Sequence, residues 1–322
     1  MRKRYSCLLP GTKVLPDRNL LQPLVGYGAV MSQRKVSLVL PAQDFHEGGG
    51  FLVHRPFPVQ GVMQVDPFLL IDELGPVDYA PGEAIGAPDH PHRGFETVTY
   101  MIDGEFQHAD SAGHRGELHP GDVQWMTAGA GVVHAEMPSE RVMREGGRQH
   151  GFQIWINLPK ADKLVRPRYQ DVRASQIPVW RSADGRAWAR VIAGEAQGVQ
   201  GAAQTRIPIG FVHYHLEPGA RIEHAVENGH AAIVYLISGE ARFGLERKHP
   251  ARAAVVFDRS GDVVPVENAG NEPLEFLMLT GKPIEEPMVR YGPFVMNTPD
   301  ELEQAFTDFH AGKMGAIEPI YS

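Results

Sequence analysis

The chain has 322 residues, 43% apolar and 22% charged, a formal net charge of -8 and a pI near 6.0. That balance allows one very large domain or two, and gives no global electrostatic reason to bind nucleic acid or an anionic membrane. The single cysteine, Cys7, excludes an intrachain disulfide and makes a reducing cytoplasm the expected compartment, and no apolar run approaches the roughly 20 residues of a membrane helix.

Residues 1–30 show neither strand nor helix periodicity, and "MRKRYSCLLPGTK" lacks the sustained apolar stretch of a secretory signal. They read as a poorly ordered leader ahead of Met31. Short β-rich runs follow: "KVSLVLP", "FLVHRPFP" after Gly48-Gly49-Gly50, "DPFLLIDE", "ETVTYMI" leading into the hairpin pair Asp103-Gly104, "DVQWMTA", "QIWINLP", "FVHYHLE", "AAIVYLI" and "LEFLMLT". The pattern predicts an all-β fold of sandwiches or barrels.

Two of these units repeat. "TYMIDGE" (99–105) matches "VYLISGE" (234–240), and each is followed by a Gly-Asp pair entering another strand, Gly121-Asp122 and Gly261-Asp262. The expected division is a leader (1–30), an N-terminal β domain (31–170), a polar Gly/Ala-rich linker (171–200) and a C-terminal β domain (201–322). The last of these ends in the one well-signalled helix, in "NTPDELEQAFTDFHAGK": Thr298 caps, Pro299 suits the first turn, Glu301 completes the capping box, and Leu302, Ala305, Phe306 and Phe309 form an apolar stripe that docks on a sheet.

Chemistry concentrates in "DHPHRGFETVTYMIDG". His90 and His92 are i, i+2 on a strand, so their imidazoles share a face; His134 and Glu136 in "AGAGVVHAEMP" form a second such pair, 42 residues after His92 in the case of His134. If the two strands face each other across a barrel, three imidazoles and a carboxylate converge, a donor set for a divalent transition metal such as Fe, Mn, Ni, Cu or Zn. His108, His114 and His119 read as solvated loop histidines, and His213 with His215 as structural. Phe95 and Trp125 are candidate aromatic walls, with packing as the ordinary role for rings in strands.

The block "HPHRGFETVTYMIDGEFQHADSAGHRGELHPGDVQWMTAGAGVVHAEMP", with "RPFP" and "DPFLLIDE" upstream and "WINLP" and "YGPFVMNTPDELEQA" downstream, resembles the pirin family, bicupins of the cupin superfamily. The resemblance covers nearly everything after Met31. It implies two stacked cupin barrels and one divalent transition metal per chain, with iron(II) as the expected ion, held in the N-terminal barrel by His90, His92, His134 and Glu136. Some members resemble quercetin 2,3-dioxygenases, which implies a flavonol-like aromatic enediol and O2 as substrates and Glu136 as the catalytic base. Others are redox-sensitive regulators, which implies as the alternative a protein partner, a transcription factor or metabolic enzyme, without catalysis. Two carboxylates compete for the metal. Glu96 shares strand parity with His92, but Gly94 interrupts the strand and the resemblance places the ligand at Glu136; Glu96 is expected to support a ligand imidazole or to pair with Arg93. Aligning the repeats puts Ala225, Glu227 and Ala231 opposite His90, His92 and Glu96, with His224 and His230 at the wrong spacing, so the C-terminal copy is expected to hold no metal.

Overall fold

The computed structural model describes residues 32–318; the expected leader lies outside them. The strands form two barrels of one plan. In the N-terminal barrel a seven-stranded sheet centred on Phe68–Tyr79, Gly147–Asn157 and Phe95–Asp103 faces a four-stranded sheet running Ala87–His92, Val132–Pro138, Phe106–Asp110, Arg115–Leu118. The C-terminal barrel repeats this with Ile209–Leu216, Leu274–Gly281 and Ala231–Ser238 in its large sheet and Arg221–Ala225, Val263–Asn268, Glu240–Arg242, Lys248–Pro250 in its small one. This is the two-cupin, all-β architecture expected, with the C-terminal helix.

Alternation along the strands explains why the barrels stack. In Phe95–Asp103, Val98 and Tyr100 point one way and join Trp125, Phe152 and Ile154 in a core shared with Phe211, Ile233, Tyr235 and Leu277 of the other large sheet. Thr99, of opposite parity, points into its own barrel.

Two hydrogen-bonded groups cross this core. Tyr100 shares a hydrogen bond of 2.8 Å with His213 Nδ1, and His213 Nε2 lies 3.8 Å from Glu275. Tyr235 donates to Glu73 at 2.8 Å, and Glu73 meets His150 Nε2 at 2.8 Å. The two sets occupy matching register positions: Tyr100 pairs Phe152, which pairs Glu73, and Tyr235 pairs Leu277, which pairs His213. Acid and imidazole have exchanged places between the copies.

The domain limits read from the sequence need correction. The first strand, Val36–Pro41, pairs with Ala253–Phe257 at the edge of the C-terminal large sheet, whereas Arg168–Val172 pairs with Val123–Thr127 at the same edge of the N-terminal one. The strand preceding each barrel therefore belongs to the other. The stretch 171–200, expected as a linker, is structured: Val179–Arg181 and Ala187–Ala193 are strands of the C-terminal large sheet, and Ile177 and Ile192 lie in the shared core. Buried Ala187, Ala189 and Val191 alternate with half-buried Trp188 and Arg190, a strand pattern that composition alone conceals. The Gly-Asp pairs are not equivalent either. Asp122 precedes a large-sheet strand and Asp262 a small-sheet one, Val263–Asn268. Turn chemistry recurs at every hairpin, so it marks no register.

The helix Pro299–His310 forms with the expected capping box, Glu301 N–H donating to Thr298 Oγ1 at 3.2 Å and Glu301 Oε2 accepting from Thr298 N–H at 3.1 Å. It docks on the N-terminal barrel: Ala305, Phe306 and Phe309 pack with Phe294, Val133 and Met314, and Asp308 pairs with Arg93 at 2.9 Å.

Candidate metal centre

The strand Ala87–His92 runs antiparallel to Val132–Pro138 with His134 directly opposite His90. Same-face spacing along one strand and direct pairing across two bring the three imidazoles together. Gly94, at φ +87, ends this strand and turns the chain into Phe95–Asp103; a Cβ there would overlap the carbonyl oxygen of Val295.

One ring nitrogen from each of His90, His92 and His134 lies within 4.8 Å of the others. The ring centroids are 4.3 to 4.9 Å apart. His90 Nδ1 donates to the Pro88 carbonyl at 2.7 Å, which orients the ring and leaves Nε2 as a lone-pair donor. His92 Nδ1 and both ring nitrogens of His134 are buried and have no hydrogen-bond partner among the described residues. Burial, reinforced by the neighbouring imidazoles, pushes His92 and His134 well below the ordinary histidine range. Clustered imidazoles with ring nitrogens that no protein group among the described residues satisfies are the donor set a transition metal requires. These three residues could hold a metal.

Glu136 follows on the same strand after a register shift next to His134. Its Oε1 accepts from Thr99 Oγ1 at 2.7 Å. The same hydroxyl lies 2.7 Å from the Gln153 side chain. A hydroxyl has one hydrogen, so Glu136 Oε1 and Gln153 Oε1 compete to accept it. Glu136, His90 and His92 line one cleft of about 540 Å³, whose walls include Leu70, Trp155 and Phe106. At one side Arg55 grips Asp72 through both oxygens, at 2.6 Å each, and also meets Glu47 at 2.7 Å. Arg290 lies over the Trp155 ring at 4.6 Å.

Several sequence expectations change. Glu96 neither supports an imidazole nor pairs with Arg93; it is buried toward the shared core, where Trp125 Nε1 and Thr127 Oγ1 donate to it at 3.0 and 2.6 Å. The turn at Gly94 resets the faces, so parity counted through it from His92 is meaningless. Trp125 is therefore remote from the cleft, and Phe95 sits behind His92 with its centroid 5.1 Å away. The aromatic wall is Trp155, 5.1 Å from His92. His108 is not a solvated loop residue but lies buried on the strand Phe106–Asp110, stacked at 6.2 Å on Tyr169 and 3.6 Å from Asp171, both of which arrive on the exchanged strand. His114 and His119 are half exposed. Trp155, Gln153 and Asp72 escaped the sequence reading. For Trp155 and Gln153 the signal was a polar or amphipathic residue at every second position of "QIWIN"; for Asp72 it was a carboxylate ending the apolar run "FLLI" inside a strand.

Comparison with known proteins agrees with this arrangement. The family model "Pirin" matches residues 50–156 and "Pirin C-terminal cupin domain" matches 211–315. Pirin of Homo sapiens is 40% identical over 289 residues, covering 88% of this chain and 95% of its own. A pirin-like protein of Solanum lycopersicum is 42% identical over 276 residues, 85% of this chain and 90% of its own. The crystal structure of a quercetin 2,3-dioxygenase from Acinetobacter baumannii superposes with a TM-score of 0.84 at 36% identity, covering 89% of this chain and all of that one.

Proposed function

The chain belongs to the pirin family, and from that premise we propose that it is a metal-dependent dioxygenase that opens flavonol-like aromatic enediols, such as quercetin, with O2. The observation that carries the reading is the convergence of the His90, His92 and His134 imidazoles, the last two buried and held below the ordinary histidine range, next to a cleft that His90, His92 and Glu136 line and that is large enough for a planar aromatic molecule. Likeness to the Acinetobacter baumannii enzyme over its whole length supports it.

His90, His92, His134 and Glu136 would hold one metal ion, iron(II) being the expected species and Mn, Ni, Cu or Zn compatible with the same donors. When bound, the ion supplies Lewis-acid polarisation of the enediol and access for O2. Glu136 accepts the proton of the enol hydroxyl, and Thr99, by donating to its Oε1, fixes the carboxylate for that transfer. Pro88 holds the His90 ring at its far nitrogen. Trp155 and Leu70 supply apolar walls that keep bulk water from the deprotonated substrate.

The test is oxygen uptake by iron- or manganese-loaded protein with quercetin, against buffer and free-metal controls and alongside His134→Ala. Turnover in the wild type and none in the variant supports the enzyme; uptake no faster than the controls replaces it with the metal-bearing regulatory protein that binds a partner.

A further inference from the structure

Two arginines line the cleft, and their surroundings differ. Arg55 is spent on carboxylates, bound through Nε and Nη2 to both oxygens of Asp72 and through Nη2 to Glu47. Arg290 has one hydrogen bond, from Nη1 to the Leu69 carbonyl at 3.2 Å, and no carboxylate within ion-pair distance among the described residues. It is half-buried, its guanidinium lying 4.6 Å over Trp155, and Trp155 in turn lies 5.1 Å from His92. Arg290 stays charged under any working condition, and a guanidinium keeps its unused N–H donors in a fixed planar fork suited to carboxylate or phenolate oxygens.

Its origin is equally informative. Arg290 sits on the strand Val289–Tyr291, after the last strand of the C-terminal barrel, on the tail that returns to the N-terminal one. Gly292 and Pro293 of the same segment also line the cleft. The recognition edge of the site is thus supplied from outside its own barrel.

We propose that Arg290 is a specificity-determining residue that binds an anionic oxygen, carboxylate or phenolate, on the ring of an aromatic substrate remote from its enediol. This rests on the dioxygenase reading for the identity of the substrate, but not for the existence of the anion site. One indole separates the imidazole cluster from the guanidinium, so a fused-ring ligand with its enediol at His92 and Glu136 extends past Trp155 toward Arg290. Selection is then by charge at the far end and by metal-binding oxygens at the near end.

The test uses a matched pair, 3-hydroxyflavone and its derivative carrying a carboxylate on the phenyl ring, titrated into metal-loaded protein and followed by quenching of tryptophan fluorescence. Wild type should bind the carboxylate tighter than the parent, and the advantage should shrink as salt rises. Arg290→Met keeps an apolar cover on Trp155 and should weaken the carboxylate about tenfold, the size of one charge-assisted hydrogen bond, while leaving the parent within about twofold. Arg290→Lys should restore part of the difference. Metal content, measured in each variant, should be unchanged. Equal loss for both ligands, or no loss for either, overturns the assignment. Because the readout is binding, a protein that binds with this selectivity but consumes no O2 defeats the dioxygenase reading alone.

Discussion

In the N-terminal barrel the strands Ala87–His92 and Val132–Pro138 bring three imidazoles together, and His90, His92 and Glu136 line an open cleft. In the C-terminal barrel the corresponding pair, Arg221–Ala225 and Val263–Asn268, turns in Ile222, His224, Val264 and Val266, and the interior is filled by Tyr214, Val234, Phe257 and Phe276. Both barrels close with the same sheets in the same order. The difference teaches that one cupin interior can hold an open, polar cleft while the back of its large sheet is buried against a second copy whose own interior is filled. Apolar burial between the barrels stabilises both, at about 25 cal/mol per Å², and frees one interior for chemistry.

The widest gap between the barrels should be in metal. Elemental analysis of the full chain is expected to give one tightly bound transition ion, and His134→Ala, which removes one of the three clustered imidazoles, should reduce it to background. Two ions per chain, or one retained after the N-terminal ligands are removed, would break the contrast. A finer measure lies in the carboxylates. Glu136→Gln and Thr99→Val should each weaken metal binding by about 10- to 100-fold, the first at the ligand and the second at the group that orients it. Glu96→Gln should leave metal affinity alone and instead lower stability by about 1–3 kcal/mol, since Trp125 and Thr127 both donate to that buried carboxylate. A structure with Glu96 on the metal would reverse the assignment.

His224 extends the comparison to pH. It is buried, bonded to Tyr214 at 2.9 Å, and burial pushes its pKa from 6.5 down to about 4. Its neutral form is favoured in the fold, so its contribution is fully present above 6.5 and is lost as pH falls toward 4, while the unfolded chain takes up the proton. Between pH 7 and 5 that loss is about 2 kcal/mol. His224→Leu should flatten the pH dependence of urea unfolding by this amount relative to wild type; parallel curves would show that the imidazole titrates normally. The last contrast lies in the groups crossing the shared core. Tyr100→Phe should cost about 1 kcal/mol and Tyr235→Phe about 1.5–3, because the second leaves a buried carboxylate short of a donor and the first only an imidazole. Equal values would mean that the exchange of acid and imidazole has no energetic consequence.

Much of the candidate site was legible because its residues sit two apart on strands, and period two converts spacing directly into facing. The grouping of His90, His92 and His134, with Glu136 on the same cleft, needed only the assumption that their strands are neighbours, and the capping box at Thr298 likewise depends on four consecutive residues. What stayed hidden depends on pairing between distant segments. Arg55, Asp72, Trp155 and Arg290 meet in one cleft although 235 residues separate the first from the last by number. Glu96 misled because one glycine resets the faces, and His108 because its covering strand, Arg168–Val172, is contributed from beyond its own barrel.

That exchange of edge strands has a consequence for how such a chain can be divided. Cutting between the repeats near residue 175 would leave Val36–Pro41 attached to the wrong half and bare the backbone N–H and C=O row of Ala253–Phe257, and the other half would lose its cover over Val123–Thr127 if the cut fell a few residues earlier. An uncovered strand edge recruits whatever strand it meets, including a second copy of itself. The two halves of this duplication are therefore interlocked: neither is a module that can be lifted out, recombined with another protein or lost in evolution without leaving its sibling with an open seam.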